Sequence, residues 1–260
     1  CRLAARCQRH WIMSLDEKAW QAARDRIARA ARAAGRDPST VRLLAVSKTR
    51  PPEAVREAWA LGQRAFGENY VQEAAAKRAA LADLEGIEWR LIGPLQSNKA
   101  ALAAEVFDAV ESVDRLKIAE RLSAARAADR PPLEVLVQVN VSGEASKSGA
   151  APDAAVALAR AVAPLPRLRL AGFMGIAEPT DDVARQRAQF AMLARCLAEA
   201  RAAGLDVGVL SMGMTADLEA AILEGATEVR LGTALFGERT RKGEGERESG
   251  DGSREMGHTK

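Results

Sequence analysis

The stretch Leu43-Leu44-Ala45-Val46-Ser47-Lys48-Thr49, followed by an alanine-containing segment to Leu61 and then by Arg64-Ala65-Phe66-Gly67, decides the fold. A short apolar run, a helical stretch and a second short run form the pattern of two parallel strands joined by a crossover helix. The same alternation continues outward to both ends. Strand candidates begin near Leu43, Arg64, Trp89, Phe107, Leu133, Leu168, Val207 and Glu228. Helical stretches separate them over 52–61, 70–84, 97–105, 114–127, 152–163, 181–203 and 215–224, and an extra helix over 15–34 precedes the first strand. Eight such units predict an α/β fold, a single (β/α)8 TIM barrel with an extra N-terminal helix and no open sheet edge. An open doubly wound sheet is the alternative, but no G-x-G-x-x-G follows the first strand.

Composition agrees with one globular domain. The chain has 260 residues, 48% of them apolar and 28% charged, enough to bury a substantial core. Its formal net charge is +3, and the first fourteen residues carry Arg2, Arg6 and Arg9 without an acid, so the body is close to neutral. That argues against a nucleic-acid surface and against a strongly acidic partner. Cys1, Cys7 and Cys196 have no metal-like spacing, so neither a disulfide nor a metal site is expected. No apolar run approaches the roughly 20 residues needed to span a bilayer, and the start lacks an apolar signal core. A cytoplasmic protein with no membrane partner is expected. Residues 1–14 read as a non-native or disordered extension, because Met13 directly precedes the helix-capping Ser14-Leu15-Asp16-Glu17. The barrel is expected over 15–238, and the Gly, Glu, Arg and Ser mixture of 239–260 reads as a disordered tail.

Polar, glycine-rich segments fall at the C-terminal ends of the strands, where a barrel builds its site. They are Ser47-Lys48-Thr49, Gly67-Glu68-Asn69-Tyr70, Gly93 with the following Pro94 to Lys99, Glu111-Ser112, Asn140 with Ser142 and Lys147, Met174-Gly175, Ser211 through Thr215, and Gly232-Thr233. Lys48 stands out. It follows a run, Leu43 to Val46, expected to be buried on both faces, so its ammonium must reach the mouth, pair with an anion or lose its proton. A lysine desolvated in this way is a nucleophile for carbonyls. The turns holding Ser211, Gly213 and Thr215, and Gly232 with Thr233, have the character of a barrel phosphate site, and strand eight adjoins strand one when the barrel closes. Arg230 either points inward and needs an acceptor, which a ligand could provide, or points outward as an ordinary ion-pair partner.

These residues sit in motifs that resemble the pyridoxal phosphate homeostasis proteins, whose fold is shared with the barrel domain of alanine racemase, the fold type III arrangement. The motifs are AVSKT (45–49), FGENYVQE (66–73), IGPLQSNK (92–99), VNVSGEASKSG (139–149), LSMGMTADLEAAI (210–222) and VRLGTALFG (229–237). The resemblance covers about 15–238. It implies pyridoxal 5′-phosphate (PLP) as the cofactor, with Lys48 as its Schiff-base lysine. It further implies Ser211, Gly232 and Thr233 around the phosphate, Arg230 facing the pyridine nitrogen and Asn69 near the cofactor. An arginine opposite that nitrogen disfavours its protonation and weakens the ring as an electron sink. Two departures are visible: Arg90 stands where relatives usually have His, and Thr215 where Ser is commoner. Thr215 keeps the hydroxyl.

The resemblance implies a monomer that stores, buffers or delivers PLP, with PLP-dependent apoenzymes as recipients and no catalytic residues of its own. An amino-acid racemase on the same barrel is the alternative. It would need a second acid/base group, and the single tyrosine is Tyr70, while His10 and His258 lie near the ends. Lys99 and Lys147 lie in polar loops. A barrel isomerase using Lys48 on a phosphorylated sugar is the third possibility.

Overall fold

The computed structural model describes residues 15–144 and 148–237. The expectations for 1–14, for Lys147 and for 239–260 lie outside the described residues. Helix α1 (Glu17–Ala33) begins where Asp16 accepts a hydrogen bond from the Lys18 N–H and Glu17 places negative charge in the first turn. Trp20, Ala23, Ile27, Ala30 and Ala31 recur at helical spacing and are buried.

Eight parallel strands then alternate with helices among the described residues. The strands are β1 (Arg42–Val46), β2 (Ala65–Glu68), β3 (Glu88–Leu91), β4 (Ala109–Val113), β5 (Leu133–Val139), β6 (Leu168–Gly175), β7 (Val209–Ser211) and β8 (Glu228–Leu231). The helices are α2 (Pro52–Ala60), α3 (Val71–Ala80), α4 (Ala100–Val106), α5 (Leu116–Ala125), α6 (Pro152–Val162), α7 (Val183–Ala202), α8 (Leu218–Leu223) and α9 (Thr233–Phe236). The sheet closes in the order β1 to β8, with Leu44 opposite Arg230 and Ala45 opposite Leu231 at the seam. It is the (β/α)8 barrel expected, with α1 packed outside it on α8 and α9. There Trp20 meets Phe236 edge to face at 5.6 Å.

Period-two alternation sorts the strand residues. Ala45, Phe66, Trp89, Val135, Val137, Phe173, Leu210, Val229 and Leu231 form the apolar layer beneath the helices. The inward side differs: Leu136, Ala171 and Met174 make a small apolar cluster, and much of the remaining interior is charged. The structure corrects one local expectation. Leu43 and Val46 are only half-buried, because Leu43 packs at the margin of the outer layer and Val46 stands at the open mouth beside Gly232.

The helices also begin later than their polar leaders suggest. Residues 97–99 form a 3-10 turn before α4, and the Met214 N–H donates to Asp217 Oδ1 in a turn that delays α8 to Leu218.

Candidate functional site

The mouth is assembled from the ends of adjacent strands. Leu44 lies on the interior face, against the side where Gly67 would project, and Val46 abuts Gly232. Alternation carries Lys48 to that same side, just past the last β1 hydrogen bond, in which the Ser47 N–H donates to the Gly67 carbonyl. Lys48 is half-buried. Asn69 follows Gly67 on the same side of β2. A Cβ on Gly93 would fall 2.4 Å from the Asn69 carbonyl oxygen, so only glycine lets the β3 loop approach there. Gly232 and Thr233 stand at the head of α9, whose first N–H groups have no side-chain cap. Lys48, Asn69, Gly232 and Thr233 are thus brought to one sector, on β8, β1 and β2.

Arg230 points inward, which resolves the sequence ambiguity. Its acceptors are protein atoms: Nη1 donates to the Ser211 carbonyl at 2.6 Å and to Ser211 Oγ at 2.9 Å, and Nη2 donates to the Gly175 carbonyl at 2.8 Å. Ser211 is fully buried, and its hydroxyl lies 2.5 Å from Glu111 Oε2 and 3.0 Å from Glu228 Oε1. It therefore sits beneath Arg230, among carboxylates, while Gly232 and Thr233 stand at the mouth. In the turn after β7, Gly213 has a φ of +93°, and a Cβ there would meet Ala221 of α8 at 2.6 Å.

A serine hydroxyl carries one proton, so two carboxylate contacts are both satisfied only when one carboxyl is itself protonated. Burial, reinforced by the neighbouring Glu111 charge, pushes the Glu228 carboxyl from 4.5 up to about 8. Burial also acts on Glu111, but Arg90 and Arg230 outweigh it and hold Glu111 below the usual carboxylate range. The geometry calls for one protonated carboxyl in the pair, and the charge balance favours Glu228 as its holder.

Arg90 is the hub beneath this group. It donates to Glu111 at 2.7 Å, to Glu88 at 2.6 Å and to Glu134 at 2.9 Å, and lies 3.5 Å from Glu228. Burial opposes its charge, yet the carboxylates raise its pKa above the ordinary arginine value. Arg42 extends the network to Glu88, and Arg169 extends it to Glu134, at the N-terminal end of the barrel. Sequence reading missed this arrangement, although inward-facing Glu111, Glu228 and Arg90 in otherwise apolar strands were its signal.

A second polar group sits under the Lys48 loop, on the outer side of β2. Lys77 of α3 donates to the Ser47 carbonyl and Glu68 Oε1, both at 2.6 Å, and to Glu73 Oε1 at 2.7 Å. Ser47 Oγ donates to Glu68 Oε1 at 2.7 Å, and the Thr49 N–H donates to Glu73 Oε1 at 2.5 Å. Burial raises the Glu68 pKa, with Lys77 opposing, and Glu68 Oε2 is without a partner.

The family model for the alanine racemase N-terminal domain matches residues 19–240. A Pseudomonas aeruginosa pyridoxal phosphate homeostasis protein is 63% identical over 214 residues, covering 82% of this chain and 91% of that protein. The chain belongs to the pyridoxal phosphate homeostasis protein family. The Escherichia coli K12 member is 50% identical over 218 residues, covering 83% of this chain and 93% of the other. Among solved structures, PipY of Synechococcus elongatus, with PLP bound, superposes with a TM-score of 0.71 at 40% identity, covering 81% of this chain and all of that one. D-threonine aldolase from Filomicrobium marinum, 24% identical with a TM-score of 0.68, covers 85% of this chain and 60% of that one and shares the fold alone. Within this member of the pyridoxal phosphate homeostasis family, Arg90 is a structural cation at the centre of the barrel.

Proposed function

We propose that this chain binds pyridoxal 5′-phosphate and maintains its supply in the cytoplasm, as a monomer that stores, buffers or delivers the cofactor to PLP-dependent apoenzymes without strong catalysis of its own. The observation that carries this reading is the convergence of Lys48, Gly232 and Thr233 at one sector of the mouth, above a buried Arg230. The donor set suits the group: an amine for its aldehyde, a hydroxyl and uncapped N–H groups for its phosphate, and a cation for its ring nitrogen. Family membership and the PLP-bound PipY structure support the same assignment.

When bound, the cofactor supplies an aldehyde that a lysine amine can capture. In this assignment Lys48 would be the amine, Asn69 would lie near the cofactor, and Gly232 and Thr233 would hold the phosphate with help from the Gly213 to Thr215 turn. Ser211 acts from below: its oxygens fix Arg230, and the Glu111 carboxylate at its hydroxyl makes it a poor direct partner for a dianion. Arg230, anchored on Ser211 and Gly175, would be the cation for the ring nitrogen and would disfavour its protonation. That weakens any carbanion chemistry, in keeping with a carrier.

Mixing the protein with PLP, removing unbound cofactor and recording absorbance tests the reading. The wild-type chain is expected to develop a violet-region band that Lys48→Ala abolishes, while the folded-state circular dichroism of the variant is unchanged. A band that survives Lys48→Ala would overturn the assignment.

A further inference from the structure

We propose that Glu73 and Lys77 on α3 are positioning residues for Lys48, holding the loop that carries it in a strained turn and thereby setting how tightly the mouth retains an aldehyde ligand. The proposal rests on the reading of Lys48 as the cofactor lysine. It starts from Thr49, a non-glycine residue at φ +63° immediately after Lys48. A β-branched residue in that region is conformationally costly and persists only where surrounding contacts over-determine it.

Those contacts are present on both flanks. On the α3 side, Glu73 accepts from the Thr49 N–H and Lys77 donates to the Ser47 carbonyl, so the residues immediately before and after Lys48 are each tied to the same helix. Lys77 is almost fully buried, and it also joins Glu73 to Glu68, whose other contact is the Ser47 hydroxyl. On the α9 side, Arg50 donates to the Gly237 carbonyl and lies 6.0 Å from the Phe236 ring centroid. A main chain fixed on both sides of Lys48 narrows the directions its amine can take. Pre-organisation of that kind raises affinity by lowering the entropy lost on binding.

The carboxylate of Glu73 is the part that can be removed with least damage, because Glu73 is partly exposed. Glu73→Ala is expected to weaken PLP about tenfold, equivalent to about 1.4 kcal/mol, in a titration followed by the violet band, with a thermal midpoint close to wild type. Glu73→Gln keeps an acceptor for the Thr49 N–H and should restore affinity to within about threefold. The double variant Lys77→Met/Glu68→Gln removes the ammonium without leaving a charged Glu68 behind, and should also weaken PLP about tenfold or more. Loss of thermal stability with unchanged PLP affinity in Glu73→Ala and in the double variant would reduce both residues to structural ones and overturn the proposal. Lys48→Ala run alongside separates the two ideas. If it abolishes the band while the α3 variants bind normally, only the positioning role fails; if the band persists in Lys48→Ala, the cofactor reading itself fails.

Discussion

At the scale of single residues, the site depends on how charges are arranged below the mouth. Arg230 is fixed by Ser211 and Gly175, and Ser211 is fixed by Glu111 and Glu228, so the orientation of a buried interior cation is decided by its neighbours within the barrel. Glu228 makes this layer sensitive to pH. Its folded carboxyl keeps a proton up to about 8, whereas an unfolded chain releases it near the ordinary 4.5. Between those values the folded state binds more protons, so Glu228 makes stability fall as pH rises across the window and become flat above it. Glu111 works the other way: its pKa is depressed, so its contribution is present above the ordinary value and is lost only as pH falls through the lowered one. Denaturation midpoints recorded from pH 5 to 8 should therefore decline more steeply for the wild-type chain than for Glu228→Gln. Equal slopes would show that the proton is not on Glu228. Arg90 is the complementary test. Arg90→Met strands Glu111 in a dry interior, and a loss of about 3 to 5 kcal/mol in denaturant unfolding is expected, the cost of breaking a buried ion pair from one side.

At the scale of elements, strand ends approach each other closely enough that small residues become geometric requirements. Gly93→Ala would drive a methyl group into the Asn69 main chain, because the nearest oxygen lies 2.4 Å from the new carbon. The β2 and β3 loops should then move apart, at a cost of about 1 to 3 kcal/mol typical of overpacking, and PLP titrations should show weaker binding. Normal binding together with an unchanged thermal midpoint would mean that the two loops separate without effect on the mouth. Strand placement was legible in the sequence because each of the eight apolar runs is bounded by polar turns and separated by helical stretches. Helix starts were less legible. Stretches such as Ser97 to Lys99 and Met214 to Asp217 suit the first turn of a helix and a tight turn equally, and the hydrogen bond from the Met214 N–H to Asp217 distinguishes the second case.

At the scale of the molecule, the same barrel serves enzymes as well as carriers, so activity rests on what surrounds the lysine. A racemase of the two-base kind needs an acid/base on each face of its cofactor. Tyr70, the single tyrosine, is 60% exposed in the loop after β2. The protein loaded with PLP and incubated with alanine in deuterated solvent is expected to show negligible exchange at Cα by nuclear magnetic resonance. Rapid exchange would favour the racemase reading over the carrier reading.

Alternation of apolar runs and helical stretches was enough to specify the barrel, because burial periodicity is a local property that eight repeats make unambiguous. The motifs around Lys48 and Gly232 were enough to nominate residues that stand at the mouth, because unusual residues at strand ends are visible without coordinates, whereas Ser211 lies a layer below, between Glu111 and Glu228. Where side chains far apart in sequence meet is settled by the folded barrel. Ser211 meets Glu111 a hundred residues away, Arg90 gathers carboxylates from three other strands, and Lys77 grips the loop of a lysine that follows the neighbouring strand. Those encounters depend on barrel closure and register, and their energies on burial, neither of which any single stretch of sequence contains.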